Sequence, residues 1–236
     1  MIRATKAGLH ISALALLPLV ATVPAAYAEW SGGLEAGTQL GSGENPTLRF
    51  FARHSGEPMN HYLYLDWTKE DSGHSYRLGY NPVFNVSRSL YSFGKFSVEE
   101  DANSVVDQEI NALVGLGNNI HRTRESLLTI EVGGGAQQLK FDGGPAGERE
   151  DETQSFIYIG AKYHRILFDS FRFNTIVDSR TGDLQDTIDA EVGISFRLSA
   201  ATALKYAYRY QRTDFEDGNL DTQVEKDGYF TLTYGF

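Results

Sequence analysis

His74 lies beside a hydroxyl and close to two carboxylates in the sequence: Ser75 follows it, and Glu70 and Asp71 precede it. A hydroxyl activated by a neighbouring base is a common nucleophile for cleaving ester and peptide bonds. Successive side chains of a strand point to opposite faces, so His74 and Ser75 would meet only within a loop. No signature of a lipid- or peptide-cleaving enzyme surrounds them. We therefore expect no catalytic residue, and a hydrolase is the least favoured of three functions.

Acidic clusters are the second feature that could do chemistry. The segments Glu99–Asp101 and Glu148–Glu152 are rich in carboxylates, which are the ligands that Ca²⁺ and Mg²⁺ prefer. No segment has the spacing of a defined calcium loop. We interpret the clusters as solvated loop charge and expect neither a metal site nor a cofactor.

The largest set of charged residues alternates with apolar residues. Asp189 and Glu191, for example, alternate with Ile188, Ala190 and Val192. A period of two is typical of a β-strand that faces two different environments. The charged residues predicted to share the inner face of a barrel are Arg49, Arg53, Asp66, Arg77, Lys95, Glu109, Glu131, Lys162, Arg172, Asp189, Glu191, Arg197, Lys205 and Arg209.

This inner set allows two interpretations. Paired charges could fill the barrel as a network, since buried charges are tolerated when they are paired or hydrated. Alternatively, a narrow channel with net cationic walls could pass small anionic solutes. Barrel size does not decide, because about twelve strands lie between eight, which side chains fill, and sixteen, which leave a channel. Tyr91, Phe93 and Tyr158 fall on the same inner face and could act as plugs.

These residues require about twelve alternating segments to position them, each long enough to cross a bilayer. The segments lie near residues 30–40, 47–55, 59–68, 75–82, 89–98, 108–117, 127–140, 154–163, 171–178, 187–198, 202–212 and 228–236. Bulky aromatic residues near segment ends or on apolar faces are expected to anchor the barrel at the membrane interfaces. They are Trp30, Tyr62, Trp67, Tyr80, Tyr163, Tyr208 and Tyr234.

The start of the chain predicts export. Arg3 and Lys6 precede a largely apolar run at 7–23, and an Ala-x-Ala cleavage site follows at Ala26-Tyr27-Ala28. This is the pattern of a secretory signal peptide, so we expect cleavage of residues 1–28 and one barrel domain at 29–236. The chain has no cysteine, which excludes a lipoprotein anchor, disulfides and thiolate metal sites. The net charge of −10 disfavours nucleic-acid binding.

The connections predict the topology. Most acidic residues fall in every second connection, near 41–46, 69–74, 99–107, 141–153, 178–186 and 213–227. Such segregation requires antiparallel up-and-down strands with two chemically different ends. Both termini would then lie at the less acidic end, which is periplasmic in bacterial outer-membrane barrels.

The end of the chain carries the first resemblance. Phe230, Leu232, Tyr234 and Phe236 alternate with small or polar residues. The pattern resembles the terminal strand of bacterial outer-membrane β-barrels. That resemblance implies that the four residues form the signal read by the barrel-assembly machinery.

A family resemblance rests on the middle of the chain. The run from Phe84 to Asp101, the Gly115-Leu116-Gly117 strand and the Glu131-Val132-Gly133 strand resemble the YdiY-type family of salt-induced outer-membrane proteins, a domain of unknown function. The segment 41–45 departs from the family's Gly-Asn-Thr motif. The resemblance supplies no catalytic residues.

We therefore expect an all-β protein, a transmembrane up-and-down antiparallel β-barrel of about twelve strands in the bacterial outer membrane. The expected function is non-enzymatic support of envelope integrity or of a salt or osmotic stress response, with a narrow porin as the alternative. The expected partners are outer-membrane lipids, lipopolysaccharide and the assembly machinery. The oligomeric state stays open.

Overall fold

The computed structural model describes residues 30–40, 44–56, 58–69, 73–101, 106–141, 151–216 and 222–235. The predicted signal peptide and Phe236 lie outside these residues. The described residues form twelve strands: β1 Trp30–Leu40, β2 Glu44–His54, β3 Met59–Lys69, β4 His74–Asn85, β5 Leu90–Asp101, β6 Val106–Arg122, β7 Ser126–Phe141, β8 Glu152–Phe168, β9 Phe171–Gly182, β10 Gln185–Arg197, β11 Thr202–Phe215 and β12 Gln223–Gly235.

The twelve strands close into one barrel. Each strand pairs antiparallel with its neighbours in the chain, and β1 pairs with β12 from Gly33↔Gly235 to Leu40↔Gly228. Closure removes the free edge that a sheet would otherwise expose. The predicted twelve-stranded, up-and-down antiparallel barrel is confirmed.

The strands extend further than the sequence predicted. β6 and β8 have 17 residues each and β7 has 16, whereas β1, β2 and β3 have 11. Most of the added length lies at the end of the barrel opposite the two chain ends. Segments that were predicted to be acidic connections therefore belong partly to the strands.

The outer face of the barrel is apolar. Val114, Val132, Ile157 and Ile159 are each more than half exposed on adjacent strands in the middle of the sheet. An exposed apolar surface of this extent is typical of a surface that meets hydrocarbon rather than water. No helix among the described residues is long and apolar enough to cross a membrane.

Three hairpins at the end that holds the termini share one local device. The side-chain hydroxyls of Ser87, Thr123 and Ser199 each accept hydrogen bonds from the backbone N–H groups two and three residues further on. The distances run from 2.9 to 3.3 Å. Serine and threonine favour turns because their hydroxyls satisfy such N–H groups. The device explains why these connections are short.

Outward aromatic rings gather at both ends of the strands. Trp30 and Tyr80 lie near the end that holds the termini, and Trp67 and Tyr76 lie near the opposite end. The prediction was wrong for Tyr62, which lines the interior instead. Tyr62 and Trp67 are an odd number of residues apart on one strand, so their side chains must take opposite faces.

Inward-facing glycines make room for aromatic rings. An ideal Cβ on Gly135 would lie 2.7 Å from the Phe156 ring and 2.3 Å from the Ala112 carbonyl oxygen. An ideal Cβ on Gly134, which faces outward, would meet only the Phe156 carbonyl oxygen, at 3.6 Å. Gly135 thus has no room for a side chain, whereas its neighbour Gly134 does.

We predict that Gly135→Ala lowers the free energy of unfolding by about 1–3 kcal/mol, the usual cost of overpacking a close contact. Gly134→Ala is the matched control, and we expect it to be neutral or slightly stabilising, because alanine restricts the unfolded chain. Denaturant titration of the refolded barrel in detergent measures both. Equal effects of the two variants would contradict the steric explanation.

Candidate functional site

The barrel interior holds a cavity with a volume of about 540 Å³. Its lining comes from all twelve strands except β7 and is mostly charged, amide, hydroxyl and tyrosine side chains. A second cavity of about 60 Å³ shares Glu99, Asp101, Glu109, Arg180 and Glu225 with it. The interior around these cavities is therefore largely polar and only partly filled.

Glu131 on β7 is the hub of the contacts next to the cavity. Its side chain is 3% exposed, and its carboxylate lies 2.7 Å from the Nζ of Lys162 and 3.3 Å from the Nζ of Lys95. The hydroxyls of Tyr91 and Tyr158 donate to it at 2.8 and 3.0 Å. The carboxylate thus accepts from four donors on β5 and β8. A buried charge with so many charge-assisted bonds is tolerated without solvent.

Aromatic rings close the space around this hub. Tyr91, Phe93, Leu113, Phe156 and Tyr158 form the buried apolar cluster of the described residues. The prediction that Tyr91, Phe93 and Tyr158 face inward is confirmed. We call these five residues together with Glu131 the plug.

Lys95 joins the plug to the charged wall. Its Nζ lies 4.0 Å from the centre of the Tyr158 ring and also hydrogen-bonds the Tyr158 hydroxyl. A cation over an aromatic face is attracted by the ring quadrupole. One side chain therefore links the Glu131 carboxylate to the aromatic cluster.

Ion pairs between neighbouring strands line the rest of the wall. Arg49 donates to both carboxylate oxygens of Asp66, at 2.5 and 2.8 Å, and Arg77 donates to both of Glu99 at the same distances. The two-pronged geometry holds each guanidinium in a fixed orientation. Two further pairs, Arg209 with Asp189 and Lys205 with Glu191, join β11 to β10.

One ion pair crosses the interior. Arg180 on β9 donates to Glu109 on β6 at 2.7 Å, although β7 and β8 lie between these strands in the sheet. Asn111 on β6 accepts a longer bond of 3.4 Å from the same nitrogen. This contact bridges the lumen rather than following its wall.

Most of the predicted inner residues are brought together by these contacts. All predicted inner residues except Arg53, Arg172 and Arg197 take part in ion pairs of the interior. The three exceptions share the inward register but are exposed near the end that holds the termini. Arg53 lies over the Tyr62 ring at 5.5 Å.

Seven further charged residues line the cavity and were not among the predicted set. They are Glu35, Glu99, Asp101, Asp178, Arg180, Glu225 and Asp227. Several were assigned to acidic connections because a charged strand end resembles a loop. The alternation of Asn174, Ile176, Asp178 and Arg180 is the signal that could have found two of them.

The expectation of net cationic walls is wrong. Among the described residues that line the main cavity, seven are lysine or arginine and ten are aspartate or glutamate. The excess of carboxylates arises from the strand ends that the sequence interpretation left in the connections. A wall of this composition does not favour anions.

His74 and Ser75 lie on opposite faces of β4 and do not meet. Ser75 lines the interior, whereas His74 packs on the outer face with ring centres 6.1 Å from Trp67 and 6.4 Å from Tyr76. Glu70 and Asp71 lie outside the described residues. Among the described residues, no three histidine or carboxylate side chains are grouped so that they could hold a metal ion.

Comparison with known proteins agrees with the fold. The sequence pattern of a family described as "Protein of unknown function, DUF481" matches residues 35–236. No curated protein matches the sequence significantly.

Three solved structures share the fold at low sequence identity. The NanC porin is 8% identical with a TM-score of 0.59, and the comparison covers 86% of this chain and 98% of that one. The KdgM porin is 10% identical with a TM-score of 0.53, covering 87% and 99%. A bacterial polysaccharide outer membrane secretin is 7% identical with a TM-score of 0.51, covering 88% and 98%. At such low sequence identities, the comparison shows a shared fold and nothing more.

We predict that Glu131→Ala destabilises the barrel by about 1–3 kcal/mol, because it leaves the buried hydroxyls of Tyr91 and Tyr158 without their acceptor. The matched control is Asp214→Asn, which removes the exposed partner of Arg212 and should change stability little. Denaturant titration in detergent measures both variants. A Glu131→Ala protein as stable as the control would contradict the role of the hub.

Proposed function

We propose that this chain, which belongs to the DUF481 family, is a non-enzymatic outer-membrane β-barrel that supports the integrity of the bacterial envelope. The observation that carries the proposal is the plug, which fills one side of the lumen with buried rings around a fully bonded carboxylate. Buried rings on the inner face narrow the space through which a solute could pass. The apolar outer face supports the location of the barrel in a membrane.

In this proposal the residues before Glu29 direct export and are removed. Phe230, Leu232 and Tyr234, which are about half exposed on the outer face of the closing strand, present the signal for the assembly machinery, together with Phe236. Outer-membrane lipids cover the apolar face, and lipopolysaccharide contacts the end with the long connections. The resemblance to salt-induced proteins adds an expected role under osmotic stress.

The second candidate function is a narrow channel, and the cavity of about 540 Å³ favours it. The carboxylates that line it would then select small cations, since a ring of charge favours the opposite sign. Conductance separates the two candidates, because a barrel that the plug closes passes no current and a narrow channel does.

We predict that the refolded wild-type protein gives no conductance steps in a planar lipid bilayer at any voltage that the membrane withstands. The double variant Tyr91→Ala and Tyr158→Ala removes two plug rings, and we expect it to give steps. Tyr208→Ala is the matched control, because this tyrosine is on the outer face. Conductance steps from the wild type would overturn the closed barrel and favour the channel.

The envelope role is tested in cells. We expect loss of the gene to increase entry of a large antibiotic and to slow growth in concentrated NaCl, and the wild-type gene to restore both. If the deletion strain is as impermeable and as salt-tolerant as its parent, the proposed role is wrong even though the fold stands.

A further inference from the structure

A row of four rings crosses the outer face near the end that holds the termini. Trp30, His54, His61 and Tyr80 come from β1, β2, β3 and β4, and successive ring centres lie 5.0, 5.6 and 5.9 Å apart. Trp30 is paired directly with His54, and His54 with His61, across the strands. Neither the plug nor the ion pairs of the lumen use these residues.

The two histidines are placed as a pair of metal ligands. Neutral imidazole is a common ligand of Zn²⁺, Cu²⁺ and Ni²⁺. A metal ion held by two imidazoles at the roughly 2 Å bond length of such complexes sets the two ring centres roughly 5 to 6 Å apart. The observed 5.6 Å lies in this range. Directly paired cross-strand residues also keep their side chains close on one face.

Tyr80 supplies the orientation that a metal-binding histidine needs. The Nδ1 of His61 lies 2.7 Å from the Tyr80 hydroxyl. Metal-binding histidines almost always donate their second ring N–H to an oxygen, which fixes the ring and makes the ligating nitrogen more basic. In the site that we infer, Nδ1–H of His61 donates to Tyr80 and Nε2 is left free for a ligand.

His54 provides an independent observation. Its Nδ1 is buried and has no hydrogen-bond partner among the described residues. A buried polar atom without a partner is costly and uncommon, so each instance requires an explanation. A metal ion bound at this nitrogen would supply the missing partner.

We propose that His54 and His61 bind one late transition-metal ion through Nδ1 of His54 and Nε2 of His61. Water completes the coordination, since the described residues offer no third histidine or carboxylate there. By the usual order of divalent affinities, Cu²⁺ binds more tightly than Ni²⁺ or Zn²⁺. The site lies on the membrane-facing side of the barrel, apart from the lumen, and does not depend on the proposed function.

The test uses the refolded mature protein in detergent, with Trp67→Phe so that Trp30 is the only tryptophan. The Trp30 ring lies 5.0 Å from that of His54, so bound Cu²⁺ should quench its fluorescence. We expect saturable quenching at one Cu²⁺ per chain. His54→Ala and His61→Ala should abolish it, and Tyr80→Phe should weaken the affinity by about 10- to 100-fold.

His121→Ala is the matched control, because His121 is an exposed histidine at the same end of the barrel that contacts Ser126 rather than another histidine. Cu²⁺ should quench the Trp30 fluorescence of this variant as it does that of the parent. If Cu²⁺ also quenches the Trp30 fluorescence of the His54→Ala and His61→Ala variants as it does that of the parent, the proposal is overturned.

A second measurement decides the outcome should a variant fail to fold. Electron paramagnetic resonance of the Cu²⁺-loaded parent should show coupling to two imidazole nitrogens. A spectrum with one imidazole or none overturns the proposal without any substitution at the site.

Discussion

The constraint on which the structure depends is the pairing of every backbone N–H and C=O in a chain whose outer face is apolar. Hydrocarbon offers these groups no hydrogen bonds, so a sheet can cross it only when the first strand pairs with the last. The pairing of β1 with β12 meets this requirement. The Gly33↔Gly235 pair lies at this seam, and an ideal Cβ on Gly33 would lie 2.6 Å from the Tyr234 carbonyl oxygen, so the seam leaves little room for side chains.

Closure then determines what the interior must contain. Side chains that alternate with the apolar outer face are forced inward, and many of them are charged. The structure compensates these charges in two ways. Arg49, Arg77 and Arg209 each bond a carboxylate on a neighbouring strand, whereas Glu131 gathers two lysines and two tyrosines at one buried point. The first arrangement lines a wall, and the second fills space.

The alternation predicted the faces well because each strand has two chemically distinct environments. It placed Glu131, Tyr91 and Tyr158 inward with no knowledge of their partners. It failed at strand ends such as Asp178 and Glu225, since a strand that leaves the hydrocarbon can be charged on both faces and then resembles a loop. The contact between Arg180 and Glu109 was beyond prediction, because it depends on the shape of the barrel's cross-section rather than on neighbours in sequence.

The long strands β6, β7 and β8 give the rim an uneven height. A strand of 17 residues spans roughly 56 Å, or roughly 40 Å along the membrane normal at the usual tilt. The hydrocarbon layer is only about 30 Å thick. The extra length is shared between the two ends, because β6 continues to Arg122 past its pairing with the start of β5, and β8 begins at Glu152, four residues before its pairing with β9. This arc of the barrel therefore reaches beyond the hydrocarbon layer into both headgroup regions, held by the backbone hydrogen bonds between its strands.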